Sequence, residues 1–159
     1  MPDYYTIENY PFNPESLRES VFIQVAHAHN HWVVISNYYP KTNEQFLDKW
    51  YIYDSMNNPK YYLNFVKNVL RKVSGGSRYI NITHVEVSKQ HGTIDCGLFA
   101  LGYALALAMD IDPGCLIFDQ RKLRDEFNTI IEKKTLFLFS HSLIDNYMPK
   151  YTEFNLDLN

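Results

Sequence analysis

Alternating apolar and polar residues, together with β-branched and aromatic runs, predict four strands in the first 88 residues. The predicted strands cover residues 21–28, 31–39, 50–55 and 79–88. Only His29 and Asn30 separate the first two strands, which is typical of a tight hairpin. The third strand, WYIYDS, ends in Asp54 and Ser55 and follows a polar connection, PKTNEQFLDK.

Helical patterns occupy the remaining apolar segments. Residues 60–73 predict an amphipathic helix, because apolar side chains recur there every three or four positions. The run CGLFALGYALALAM, which starts at Cys96, predicts a helix buried on all sides. Residues 118–134 predict a second amphipathic helix with Asp119 as its cap, and NPES at residues 13–16 predicts one helical turn.

This order of elements predicts an α+β fold. We expect a mixed sheet of about four to five strands, packed on the buried helix that starts at Cys96 and flanked by the other helices. The length fits a single domain, residues 1–159, with its core at about residues 21–134. Beyond that core we expect the chain to be packed at first and loose at its end.

Composition and charge narrow the classes of function. The net charge is −3, and no basic face is visible, so we expect no nucleic-acid partner. The longest apolar run is shorter than the roughly 20 residues that span a bilayer, so we expect no membrane partner. Two cysteines are too few for a disulfide scaffold, and no secretory signal is visible. We expect an intracellular monomer, in the cytoplasm or nucleus, with reduced thiols.

Cys96 stands where polar sequence gives way to the apolar helix. A thiol at a helix N-terminus lies over unpaired backbone amides, which favour the thiolate and can also bind a tetrahedral oxyanion. Asp95 is expected to cap this helix, and Gly97 leaves room beside the sulfur. The alternative is that Cys96 is a small buried apolar residue, as free cysteines often are.

A cysteine nucleophile needs a base and a group that orients the base. His31 begins the second predicted strand and Asp54 ends the third, so adjacent strands can bring the two together. Gln90 lies in the turn before Cys96, and its side-chain amide can donate to an oxyanion. Each residue alone also fits an ordinary turn or surface position.

The succession of these residues resembles a known family. His-Trp, then Tyr-Asp-Ser, then Gln and Cys within QHGTIDCGLFA, is similar to the ubiquitin-like-protein-specific cysteine proteases, which include the SUMO proteases and are similar to the adenovirus maturation protease. The resemblance runs from about residue 21 to residue 133. It implies a papain-like cysteine peptidase fold and hydrolysis of a peptide or isopeptide bond after a glycine-rich tail, with a ubiquitin-like protein or its conjugates as substrate.

The resemblance also implies a role for each matched residue. Cys96 would be the nucleophile, His31 the general base, Asp54 its orienting group and Gln90 part of the oxyanion hole. Trp32 would cover a narrow channel for the glycine tail, although an ordinary core aromatic is an equal alternative. No metal or cofactor is required by this chemistry.

The sequence departs from the family pattern at two places. Gly92 lies four positions before Cys96, where the family has glycine three before, and residues 1–30 lack the Trp-Leu-x-Asp pattern of SUMO proteases. The segment DPGCLIFDQRKLRDEF resembles the protease-like proteins of mobile elements and viruses, which implies, as an alternative, a processing protease of the same chemistry. A catalytically weak module that binds a ubiquitin-like protein is the other alternative.

A zinc site is a further hypothesis. His27, His29 and His31 alternate, so on one extended strand all three would face the same side. A turn at His29 would remove that register. His84, His91 and His141 have no partner that the sequence identifies.

Overall fold

The computed structural model describes residues 21–40, 49–73 and 79–158. Its fold is α+β, with a five-stranded mixed sheet, a two-stranded sheet and three α-helices in the described ranges. The strands are β1 (Ile23–Ala28), β2 (His31–Ser36), β3 (Lys49–Tyr53), β4 (Tyr79–Val85), β5 (Leu116–Phe118), β6 (His141–Leu143) and β7 (Tyr151–Asp157). The helices are α1 (Leu63–Val73), α2 (Cys96–Ala108) and α3 (Leu123–Lys133).

The larger sheet has the strand order β1-β2-β3-β4-β7. Strands β1, β2 and β3 are antiparallel neighbours, β3 and β4 are parallel, and β7 pairs antiparallel with β4. A parallel pair needs a crossover, and α1 lies between β3 and β4 in the chain. Because β2 and β3 are antiparallel, the start of β2 and the end of β3 lie at the same edge of the sheet.

An apolar core covers each face of this sheet. In β3, Trp50 belongs to the core that contains Leu70 of α1, whereas its neighbour Tyr51 belongs to the core that contains Tyr103 of α2. Successive side chains of a strand point to opposite faces, so both helices can pack on the same strands. The predicted strands and helices of this region are therefore present, and α2 begins at Cys96 as predicted.

Helix α2 differs from the prediction in one respect. Its sequence is apolar around the whole circumference, yet Gly97, Leu98, Leu101 and Ala104 are only half-buried. These positions follow helical spacing and form one face: Gly97, Leu98 and Leu101 line a groove, while Leu98, Leu101 and Ala104 also contact the edge of the core. The expectation that α2 is buried on all sides is therefore wrong for this face.

Several boundaries and the C-terminal segment also differ. Residues 59–61 form a 3₁₀ turn before α1, and α3 begins at Leu123 because β5 and a turn occupy the preceding residues. Asp119 does not cap α3; its carboxylate pairs with Arg121 and Lys122. The expected loose end is wrong, since β7 pairs with β4 from Tyr151 to Asp157.

Some predictions fall on parts of the chain that are not described. The predicted helical turn at residues 13–16 and most of the polar connection before β3 lie outside the described residues. In the described ranges, no helix has the length and apolar character needed to cross a bilayer.

Candidate active site

His31 and Asp54 meet at the edge where β2 begins and β3 ends. His31 Nε2 contacts Asp54 Oδ1. The Asp54 side chain is 0% exposed, and its two oxygens also accept hydrogen bonds from Met56 N at 2.9 Å and Asn58 N at 3.0 Å. A buried carboxylate is costly unless it is paired and hydrogen-bonded, and Asp54 has both kinds of partner. The predicted proximity of His31 and Asp54 is therefore present.

The contact with Asp54 assigns different tasks to the two imidazole nitrogens. An ionised carboxylate accepts a hydrogen bond, so it favours the tautomer that carries its proton on Nε2 of His31. Nδ1 is then the unprotonated nitrogen and can accept a proton. Asp54 thus both orients the ring and provides the charge that would stabilise an imidazolium.

Cys96 is the first residue of α2 and has a free thiol. It is 5% exposed and lies in the wall of a groove of about 680 Å³. The half-buried face of α2 and Phe127 of α3 provide much of the apolar lining. Cys96 therefore borders a cavity at the amide-rich end of the helix, where backbone N–H groups lack intrahelical partners.

Asp95 does not cap α2, although it occupies the N-cap position. Its side chain makes no capping hydrogen bond. Oδ2 instead accepts a hydrogen bond from Gln120 Nε2 at 2.8 Å, and Oδ1 accepts one from Arg124 Nη2 at 3.0 Å. The capping prediction was wrong because two polar side chains from another part of the chain compete for this carboxylate.

Trp32 of β2 and Gly97 of α2 bring the two halves of the candidate site together. A Cβ atom at position 97 would lie 3.3 Å from Trp32 Cδ1, so the indole packs directly on the glycine backbone. His31 and Cys96 are the chain neighbours of these two contacting residues. Consecutive Cα atoms are only about 3.8 Å apart, so this contact brings the backbones of His31 and Cys96 into the same region.

His31 and Cys96 line two neighbouring cavities. The cavity at His31 has a volume of about 350 Å³, and it shares Asn30 and Thr93 with the groove at Cys96. Within the described residues, no hydrogen bond joins the sulfur to the imidazole. Hydrogen bonds between catalytic groups are often long before substrate binds, so this geometry is compatible with a base and nucleophile pair.

Gln90 is 4% exposed and is anchored beside the end of β3. Its Oε1 accepts a hydrogen bond from the Ser55 hydroxyl, and its backbone N donates to Ser55 O at 2.9 Å. Nε2 donates to Gly92 O at 2.9 Å, where Gly92 has a φ of +72°. A side-chain amide carries two N–H donors, so the acceptor at Gly92 leaves one available for another partner.

His84 is a buried histidine whose partner the sequence did not indicate. In β4, its Nδ1 contacts the Tyr62 hydroxyl, and the two rings stack with centroids 5.8 Å apart. Burial lowers the pKa of His84, and the negative charges of Asp54 and Glu86 oppose this effect. A histidine in the middle of an alternating strand was the available signal, but its partner lies on another element.

The hypothesis of a zinc site on one strand is contradicted by the hairpin. His27 pairs with Trp32 across β1 and β2, and the chain reverses at His29, which has a φ of +58°. The three histidines therefore do not share one extended strand. The described residues contain no group of three or more His, Cys, Asp or Glu side chains suited to a metal ion.

Comparison with known protein families, curated proteins and solved structures finds no match to this chain. The interpretation of the site therefore depends on its own geometry. It combines an oriented imidazole, a thiol at a helix N-terminus, a buried side-chain amide and a groove beside the sulfur.

Proposed function

We propose that this protein is a cysteine peptidase that hydrolyses a peptide or isopeptide bond after a glycine-rich tail, as in a ubiquitin-like protein or its conjugates. The observation that supports the proposal is the packing of Trp32 on Gly97, next to the His31–Asp54 pair in one element and to Cys96 in the other, with neighbouring cavities at His31 and Cys96. These residues come from elements far apart in sequence, and each has a chemical task in thiol hydrolysis.

The proposed reaction starts with proton transfer from the Cys96 thiol to Nδ1 of His31. The sulfur attacks the carbonyl carbon, and a C–S bond forms as the carbonyl oxygen becomes an oxyanion. When the C–N bond breaks, His31 returns its proton to the leaving amine. Water then attacks the thioester, with His31 again accepting a proton, and releases the carboxylic acid and the free thiol.

Two donors would stabilise the oxyanion. The backbone N–H of Cys96 lies at the start of α2, and Gln90 has an N–H beyond the one that it donates to Gly92 O. Removing one such donor from an enzyme typically lowers kcat by about 10²–10³-fold. Gln90 is suited to the task because its anchoring to Ser55 keeps the amide from rotating freely.

Trp32 supports the choice of a glycine-rich tail. Its indole is half-buried, lines the groove at Cys96 and contacts the His27 ring in a tilted arrangement, with ring centroids 4.6 Å apart. A flat ring held between His27 and Gly97 has little freedom to move aside. Such a ring suits a thin glycine backbone and would clash with a branched side chain at the same place.

The decisive experiment uses ubiquitin and ubiquitin-like proteins that carry a thiol-reactive electrophile at the C-terminal glycine. Wild-type protein should form a covalent adduct with at least one probe, and Cys96→Ala should form none. Cys115→Ala is the matched control, because Cys115 is the other thiol and donates to Asp112 O at 3.0 Å instead of lining the groove. It should be labelled like the wild type.

Other outcomes distinguish the alternatives. Cleavage of short peptides without labelling by any tail probe would favour a viral or mobile-element processing protease. Tight binding of a ubiquitin-like protein without a covalent adduct would favour a binding module. Labelling that persists in Cys96→Ala would contradict the proposed nucleophile.

A further inference from the structure

Gln120 joins both ends of the loop that precedes Cys96. It lies in the turn between β5 and α3, 29 positions from His91. Gln120 Oε1 accepts a hydrogen bond from His91 N at 2.8 Å, and Gln120 Nε2 donates to His91 O at 2.8 Å. The same Nε2 donates to Asp95 Oδ2 at 2.8 Å. One side chain therefore holds the first and last residues of the loop 91–95.

The hydrogen bonds define the orientation of this amide. Rotating it by half a turn would set its N–H groups against His91 N–H and its oxygen against His91 O. In the observed orientation, both N–H groups and the oxygen of Gln120 have partners. Arg124 Nη2 binds the second oxygen of Asp95 at 3.0 Å, so the carboxylate is held on both sides.

Besides these hydrogen bonds, Gln90 Nε2 donates to Gly92 O within the loop at 2.9 Å. No backbone–backbone hydrogen bond involves residues 91–94 within the described parts of the chain. Gly92 has a positive φ, and the Ile94 side chain is 81% exposed. Side chains, and Gln120 above all, therefore maintain the conformation of residues 91–95.

This loop connects the two groups that would bind the oxyanion. Gln90 immediately precedes it and Cys96 immediately follows it, so the loop conformation, together with the anchoring of Gln90 to Ser55, sets the distance between the Gln90 amide and the sulfur. A misplacement of about 1 Å can lower an enzymatic rate by roughly 10²-fold. A side chain that touches neither substrate nor sulfur can thus control the reaction through this loop.

We propose that Gln120 is a positioning residue for the reaction described above: it holds the loop 91–95 so that the Gln90 amide and the Cys96 sulfur act on the same carbonyl group. This inference depends on the proposed function. Gln120 would not contact the substrate tail. Its loss should therefore reduce kcat and change KM little.

The test compares Gln120→Ala with Arg121→Ala, a control on the same turn whose side chain is highly exposed and pairs only with Asp119 among the described residues. With a cleavable glycine-tail substrate, Gln120→Ala should lower kcat by about 10–100-fold, whereas Arg121→Ala should not. Gln120→Glu should lower it at least as much, because a carboxylate would repel both His91 O and Asp95.

A double-mutant cycle with Gln90→Ala separates positioning from general loss of structure. If Gln120 acts through Gln90, the double variant should be no slower than Gln90→Ala alone. The proposal would be overturned if the reductions in kcat of the two single variants multiplied in the double variant. An unchanged kcat in Gln120→Ala would also overturn it.

Amide hydrogen exchange tests the contact without any turnover. Exchange at residues 91–95 should accelerate in Gln120→Ala and not in Arg121→Ala, while thermal unfolding changes little. Unchanged exchange at residues 91–95 in Gln120→Ala would refute the inference that Gln120 holds this loop. If the wild type reacted with no substrate, the proposed function would fail and the catalytic role of Gln120 with it, whereas the exchange rates would still decide whether Gln120 orders the loop.

Discussion

Replacing Asp54 by asparagine changes one oxygen acceptor into an NH₂ donor at a fully buried position. If the remaining oxygen takes the place of Oδ1, the new NH₂ group faces Asn58 N, which now lies 3.0 Å from Oδ2. If the amide turns over, the NH₂ group meets His31 Nε2 and Met56 N instead. Either orientation sets two donors against each other.

The structure allows the size of the effect to be stated. An unsatisfied buried donor costs about 1–3 kcal/mol, which for a chain of this size corresponds to a lowering of Tm by roughly 2–12 °C. The substitution should also lower kcat, and by a larger free-energy difference than it lowers stability. The reason is that an imidazolium at His31 loses its counter-charge and that the favoured tautomer changes. The equivalent substitution in a serine-protease triad lowers kcat by about 10⁴-fold.

Urea unfolding and kcat on a glycine-tail substrate measure the two effects of Asp54→Asn. Asp112→Asn is the matched control: Asp112 is also buried and accepts hydrogen bonds from Gly114 N, Tyr39 and Tyr147. Asp112 lies just beyond the C-terminal end of α2, and that end is roughly 18 Å along the helix axis from Cys96. Asp112→Asn should lose stability but keep its kcat. Wild-type kcat in Asp54→Asn would refute the role of Asp54.

Three further predictions test the fold and the groove. Gly102→Ala should lower the unfolding free energy by about 1–2 kcal/mol in thermal denaturation, because its Cβ would lie 2.8 Å from Phe118 Cζ; unchanged stability would contradict this close packing. The pKa of His84 is lowered by burial, so the unfolded chain binds its proton more readily. The contribution of His84 to the free energy of unfolding should therefore be complete above about pH 6.5 and decrease as the pH falls below that value. In urea unfolding, His84→Gln should depend less on pH than the wild type; an equal pH dependence of the two would exclude His84 as its source. Trp32→Ala should raise KM for a glycine tail roughly tenfold and admit an alanine or valine tail, as measured by competition between tail peptides; unaltered selectivity would contradict a covering role for the indole.

Local pattern was sufficient for much of the fold. The hairpin at His29–Asn30 and the start of α2 at Cys96 agree with the sequence-based prediction, because turn residues and apolar periodicity act over a few positions. The segment that forms β7 was not predicted as a strand. Its side chains are mostly exposed, so it lacks a strong apolar signal, and its pairing partner β4 lies far upstream in the chain.

The contact between His31 and Asp54 was predicted from the sequence, whereas the contacts that hold Gln90 and Asp95 were not. His31, Asp54, Gln90 and Cys96 were identified from residue type and order. Their chemical roles remain proposals. The Asp95 carboxylate illustrates what the sequence could not show: its position predicted a cap, but Gln120 and Arg124 bind it instead.

The sequence by itself determined that β1 to β4 and the three helices form and that α2 begins at Cys96, because those preferences depend on residues within a few positions of one another. Only the tertiary structure decided which polar side chains meet. Trp32 lies on Gly97, Tyr62 contacts His84, and Gln120 binds the loop before Cys96. Such contacts depend on how separate elements pack, and residue spacing along the chain carries no direct record of that packing.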